Sequence, residues 1–413
     1  MNSTIEIKSQ RPAAASVDVS AYLRPGSLNL RFLPPLALYV HYPWCVRKCP
    51  YCDFNSHEGS TLGAPEDEYL NAVRSDIEAA LPLIWGRPII SVFIGGGTPS
   101  LMSAKALDRL LSDIRALLPL ALDCEVTLEA NPGTFEAERF AAYRASGVNR
   151  LSIGIQSFDE QKLKALGRIH DRAQAFAAIE IAQRHFDNFN LDLMYALPGQ
   201  SLIELQADVE HALAAQPPHL SLYQLTLEPN TVFAKYPPAL PDEDASAAMQ
   251  DWIEARTEEV GYRRYEVSAY ATAARECRHN LNYWTFGDYL GVGAGAHSKI
   301  SFPHRIVRQV RFRQPASYLD RAAAGEFVAE SHEVARNELP FEFMLNALRL
   351  TAGVPSNSFF ERTGASLSSV EAELNEAERR GLLVRNHQTL APTALGLRFL
   401  SDLQAMFLKA SPP

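Results

Sequence analysis

The sequence predicts an α/β chain whose main unit is a sheet of parallel strands curving toward a barrel, and three observations point there. Short apolar, β-branched runs recur six times between residues 36 and 225, separated by longer stretches with helical spacing. Cys45, Cys49 and Cys52 stand directly after the first run, and the glycine cluster Gly95-Gly96-Gly97 follows the second. Parallel neighbours need a crossover, usually a helix, and the working groups of such sheets gather on loops at the carboxyl ends of the strands.

In chain order, residues 1–34 mix small residues, prolines and both signs of charge with little apolar periodicity, so a mobile leader is expected. Glu6 and Asp18 count against a mitochondrial transit peptide. The strand runs are 36–41, 89–94, 125–129, 150–155, 190–195 and 220–225. Between them lie helical patterns over 67–83, 103–117, 134–146, 171–184 and 201–215, the last opening with a capping box, Ser201 with Glu204. A proline-rich stretch over 236–241 ends the alternation. A helix over about 244–260 and a mixed segment reaching 298 complete a unit spanning 35–300. A basic, extended-looking stretch around 305–313 falls in an expected linker, 301–332. Residues 333–408 read as three helices, a short hairpin over 382–391 and a final helix, the order of a winged-helix-like α+β domain. Its candidate groove helix carries Glu371, Glu373, Glu376 and Glu378, which phosphates would repel. Packing or partner docking is therefore expected of it rather than DNA binding.

Hydrophobic residues make up 47% of the 413, enough for a substantial core. The net charge of -9, with no basic stripe to offset it, excludes nucleic acid as the expected partner. No apolar run is long enough to span a bilayer. A cytoplasmic location follows, with peripheral attachment to a membrane left open.

Five cysteines in a long chain without a secretory signal argue against a disulfide framework. Structural zinc usually takes two spaced pairs, and although His41 or His57 could complete a set with the trio, the distant Cys124 and Cys277 supply no second pair. Those two read as small buried side chains. The trio instead suits one iron–sulfur cluster with an iron left open to a substrate or cofactor. Glycines on the same rim let a ligand approach the backbone closely.

The spacing Cys45-xxx-Cys49-xx-Cys52, with Tyr51 before the last cysteine and the glycine-rich second strand end, resembles the radical S-adenosylmethionine (SAM) superfamily. That resemblance implies a partial six-stranded (β/α) barrel and a 4Fe-4S cluster held by Cys45, Cys49 and Cys52. It also implies SAM bound at the open iron as the source of a 5′-deoxyadenosyl radical. Further residues are similar to the branch containing oxygen-independent coproporphyrinogen III dehydrogenases, which implies SAM contacts from Tyr39, Tyr51, Gly96, Gly97, Thr98, Glu129, Gln156, Arg168 and Asp192. Two features set this chain apart. Phe54 stands where the dehydrogenase carries a fourth cysteine, and His279-Asn-Leu-Asn-Tyr283-Trp284 resembles the signature of the haem chaperones of the same branch.

Imidazole is a common axial ligand of haem iron, and aromatic rings pack on a flat macrocycle, so the resemblance implies haem contacts from His279, Tyr283 and Trp284. The leading expectation is a haem-binding chaperone that delivers haem to respiratory haem proteins, with no catalytic residue assigned. The alternative is oxidative decarboxylation of coproporphyrinogen III. A homodimer is left open.

Overall fold

The computed structural model describes residues 19–59, 65–134 and 137–408. Its centre is six parallel strands: β1 (Leu36–Tyr42), β2 (Ile89–Gly96), β3 (Leu120–Ala130), β4 (Arg150–Gln156), β5 (Phe189–Tyr195) and β6 (His219–Gln224). They lie side by side in chain order. The crossovers run through α1 (Glu66–Ile84), α2 (Ala104–Leu117), α3 (Ala137–Ser146), α4 (Arg172–His185) and α5 (Leu202–Ala214), and α6 (Glu243–Glu259) follows the last strand. In α1 the buried positions Tyr69, Leu70, Val73, Ile77, Ala80 and Ile84 recur at three- and four-residue intervals, which gives the helix one face for the sheet. The predicted capping box of α5 is present, with Ser201 N donating to Glu204 at 2.7 Å and Glu204 N to Ser201 Oγ at 3.3 Å.

The sheet does not stop at six strands. Beyond β6 come β7 (Arg263–Glu266) and β8 (Ala269–Ala271), and helix α7 (Arg278–Trp284) then leads to β9 (Asp288–Val292), which runs parallel to β1. Antiparallel strands β10 (His297–Phe302), β11 (Arg305–Arg311) and β12 (Val328–Glu333) follow, with α8 (Pro315–Ala322) between the last two. The order is β12-β11-β10-β9-β1-β2-β3-β4-β5-β6-β8-β7, whose two ends do not pair, so the barrel is partial.

Residues 301–332, expected as a linker, are thus sheet and helix. Arginines disguised the strand pattern, and the three within β11 are each neutralised in place. Arg308 pairs with Glu342 at 2.7 Å, Arg305 with Glu333 at 3.4 Å, and buried Arg311 with buried Asp76 of α1 at 3.1 Å. Asp76 also accepts from Tyr318 of α8 at 2.9 Å and from Gly293 N at 3.2 Å, which fastens the added strands to the barrel helices.

The leader also differs from expectation. Residues 1–18 lie outside the described residues, but Leu28 and Leu30 are buried, and their amides donate to His304 O and Pro303 O at 3.1 and 2.8 Å. Both join the core of the carboxyl-terminal unit. That unit comprises α9 (Leu339–Ala347), α10 (Ser358–Thr363), α11 (Glu371–Arg379) and the small sheet of β13 (Val354–Pro355), β14 (Leu383–Arg385) and β15 (Thr389–Pro392), closed by two short helices. Acids of α11 are held by arginines of the same unit, Glu371 by Arg385 and Glu376 by Arg380.

Candidate functional site

The chain leaves β1 at Tyr42 and makes a loop that a short parallel ladder, Trp44–Cys45 with His57–Glu58, closes on itself. His57 N donates to Pro43 O at 2.7 Å and Gly59 N to Cys45 O at 2.9 Å. Lys48 crosses the loop to Phe54 O and Ser56 O, at 3.0 and 3.2 Å. The glycine-rich end of β2 clamps the loop from below: Gly97 N donates to Tyr42 O and Thr98 N to Trp44 O, both at 2.7 Å. A Cβ on Gly97 would lie 2.5 Å from Trp44 O, so this close approach requires glycine.

Cys45, Cys49 and Cys52 are free thiols on the wall of one cavity of about 350 Å³ at the carboxyl ends of the strands. Burial pushes the Cys45 and Cys52 thiols up, an effect that hydrogen bonds from Thr98 and Ser56 oppose at Cys45 and one from Ser56 opposes at Cys52. Among the described residues no three His, Cys, Asp or Glu side chains converge as a single-ion site. Thiolates that each bind a different iron of a cluster need not converge in that way. Three soft sulfur donors sharing one wall, with the Arg168 guanidinium 3.8 Å from Cys49 Sγ, fit an anionic iron–sulfur cluster.

Tyr51, Gly96, Gly97, Thr98, Glu129, Gln156, Arg168 and Asp192 line the same cavity, so eight of the nine residues expected at SAM are brought together. Glu129 ends β3 and accepts from Gly96 N at 3.1 Å. Burial, reinforced by the neighbouring Asp192 charge, pushes its carboxyl up to about 7. Asp192 is raised by burial too, against hydrogen bonds from Ser152 at 2.9 Å and Asn190 at 2.8 Å. Gln156 holds φ at 65°, a left-handed conformation uncommon for a residue with a side chain, at a register shift between β4 and β5. Arg168 donates to Gly154 O at 2.8 Å and bonds Asn131, while its buried Nε has no partner among the described residues. Two carboxylates and an orphaned guanidinium donor suit a zwitterion that also carries a sulfonium charge.

Tyr39 is the exception. It points inside the barrel and acts on the loop at one remove: its hydroxyl meets His41 Nδ1 at 3.0 Å, and His41 Nε2 meets Asn55 O at 2.9 Å. Burial lowers His41 to about 4, so the link is made by neutral imidazole. Asn131, Ser152 and Tyr223 also line the cavity and were not expected. Asn131 bridges Thr98, at 2.9 Å, and Arg168, and its place directly after β3, two residues past Glu129, was the available signal.

His279, Tyr283 and Trp284 are not on this cavity. They lie on α7, at the opposite ends of the strands, where His279 Nδ1 meets Ser91 Oγ at 3.2 Å near the start of β2. His279 is 5% exposed, and its ring packs on Phe93 and Tyr283 at 4.9 and 5.2 Å. Burial and the Arg150 charge lower it to about 3, which keeps it neutral. Tyr283 stacks on Tyr289 at 4.2 Å, and Arg349 covers the Trp284 ring at 4.2 Å. The three residues expected at haem are thus neighbours on one helix, His279 packing on Tyr283 and Tyr283 on Trp284.

The sequence pattern of the Radical SAM superfamily matches residues 39–212, and that of the HemN C-terminal domain matches residues 334–399. Fold and site together define a member of the radical SAM superfamily. The chain is 46% identical to the heme chaperone HemW of Escherichia coli K12 over 91% of its length and 99% of that protein, and 35% identical to HemW of Bacillus subtilis over 90% and 98%. It belongs to the HemW family. The solved structure of E. coli coproporphyrinogen III oxidase, HemN, has the same fold, with a TM-score of 0.78 and 22% identity over 91% of this chain and 90% of that one.

Proposed function

We propose that this protein is a haem chaperone on a radical SAM scaffold, which carries haem as cargo and hands it to respiratory haem proteins. The supporting observation is the carboxyl-end cavity, where three free thiols share a wall with the SAM set while Phe54, 59% exposed, stands in place of a further cysteine. In this reading Cys45, Cys49 and Cys52 hold the cluster, and Glu129, Gln156, Arg168, Asp192, Tyr51, Gly96, Gly97 and Thr98 hold SAM. When bound, the cluster supplies an open iron for SAM and a transferable electron. The chain's own residues orient and shield: Glu129 and Asp192 face positive charge, Arg168 faces the carboxylate, and His41 transmits the position of Tyr39 to the loop. His279, Tyr283 and Trp284 serve the haem function by bracing the strand ends from within.

Anaerobic reconstitution, followed by haem titration and assay with coproporphyrinogen III, tests the reading. Stoichiometric haem binding without protoporphyrinogen IX formation is expected. Turnover of coproporphyrinogen III would replace chaperone with enzyme. Among the described residues no helix is long and apolar enough to cross a membrane.

A further inference from the structure

A second cavity, of about 780 Å³, opens at the far end of the barrel from the cysteines, between the segment before β1, the start of β2 and α10. Its volume lies within the range of small-molecule sites and is about twice that of the cysteine cavity. One part of its lining is apolar, with Leu33, Phe32 and Phe360; the last two are 79% and 46% exposed. Another part is cationic, with Arg31, Arg87 and Arg362 against the single carboxylate of Glu361.

These guanidinium groups are only partly neutralised, although Arg87 also donates to Pro34 O. Arg362 forms no ion pair or hydrogen bond with any described residue, and its Nε is buried without a partner. Burial lowers its pKa, against the opposing Asp288 and Glu361 charges and with the Arg87 charge adding to the repulsion. Arg87 Nη1 stands 2.9 Å from Asp288 Oδ2 without hydrogen-bond geometry, and that carboxylate is already occupied by Lys299 at 3.0 Å and Ser301 at 2.7 Å. Lys299 cancels Asp288, and Glu361 cancels one arginine, so two formal positive charges face the cavity. A buried cation without a partner is costly, and an anionic ligand would remove that cost.

We infer that this cavity is the haem seat: the macrocycle lies against Phe32, Leu33 and Phe360, and its two propionates reach the Arg87, Arg362 and Arg31 cluster. The inference rests on the haem-chaperone reading and adds where the cargo binds. Charge count, apolar wall and volume agree on a flat dicarboxylate. The placement also gives α7 a reason to carry a signature. Ser91, which His279 holds, and Ile90, which lines the cavity, are consecutive in β2 and face opposite sides, so α7 buttresses the wall from behind.

The test is haem titration of the full chain by absorbance, comparing the wild type with Arg362→Gln, Phe360→Ser and Phe32→Ser. Arg362 makes no hydrogen bond or ion pair with a described residue and both rings are exposed, so the variants should melt close to the wild type. Each is expected to weaken haem binding by about ten-fold or more, the worth of one charge-assisted hydrogen bond or one buried ring. Haem dimethyl ester, which lacks the carboxylates, should bind the wild type no better than haem binds Arg362→Gln. Wild-type affinity in all three variants would overturn the seat while leaving the chaperone reading intact. Failure of the wild type to bind haem at all would overturn both.

Discussion

Gly97→Ala is the sharpest probe of how the sheet holds the cysteine loop. A Cβ there would meet Trp44 O at 2.5 Å, Trp44 C at 2.7 Å and Pro43 C at 2.9 Å, all backbone of the loop's entry and none able to swing aside as a side chain could. Relief requires lifting Trp44, which stretches the 2.7 Å bond from Thr98 N to Trp44 O immediately before Cys45. Overpacking of this kind costs about 1–3 kcal/mol and a lost hydrogen bond about 1 more, so a destabilisation of about 2–4 kcal/mol is expected. Urea unfolding of the apo chain reads the energy, and iron and sulfide content after anaerobic reconstitution reads the displaced loop. Gly86→Ala is the control. Gly86 has φ at 67° with nothing within 4 Å of a Cβ, so it should cost only the left-handed penalty of about 1 kcal/mol and leave iron content unchanged. If Gly97→Ala behaves like Gly86→Ala in both measurements, the clamp between β2 and the loop is not what positions the cysteines.

Other consequences can be measured separately. Serine at Cys45, Cys49 or Cys52 should abolish reconstituted iron–sulfur absorbance, whereas serine at buried Cys124 should preserve it. Asp76→Asn strands the buried Arg311 guanidinium and should lower stability by about 3–5 kcal/mol in a thermal or urea melt. Glu129, with a folded pKa of about 7 against an ordinary 4.5, keeps in the folded apo chain a proton the unfolded chain has released. Its favourable contribution is therefore complete below about pH 4.5 and is lost as pH rises toward 7, by at most about 3 kcal/mol. Glu129→Gln should flatten that part of the stability–pH curve relative to the wild type.

Much of the barrel was legible because its signals are local. All six parallel strands fall where β-branched runs stood, since strands covered on both faces are largely apolar, as in β2. The cavity residues were legible for a related reason: Glu129 and Gln156 are polar groups at the carboxyl ends of their strands, and Asp192 is an acid within β5. What escaped depends on pairing across long separations. β11 reads as basic because Arg305, Arg308 and Arg311 find acids at 333, 342 and 76, none of them a sequence neighbour. Leu28 and Leu30 look like stray leucines in a leader until the turn after β10 offers carbonyls to their amides. The arginine cavity was invisible for the same reason, since Arg31, Arg87 and Arg362 lie far apart along the chain.

Spectroscopy of the protein reconstituted without oxygen tests the central claim most directly. A 4Fe-4S signal that changes on addition of SAM, and that changes less in Glu129→Gln or Arg168→Gln, is the predicted result. A chain that takes up no cluster, or a cluster indifferent to SAM, would contradict the account.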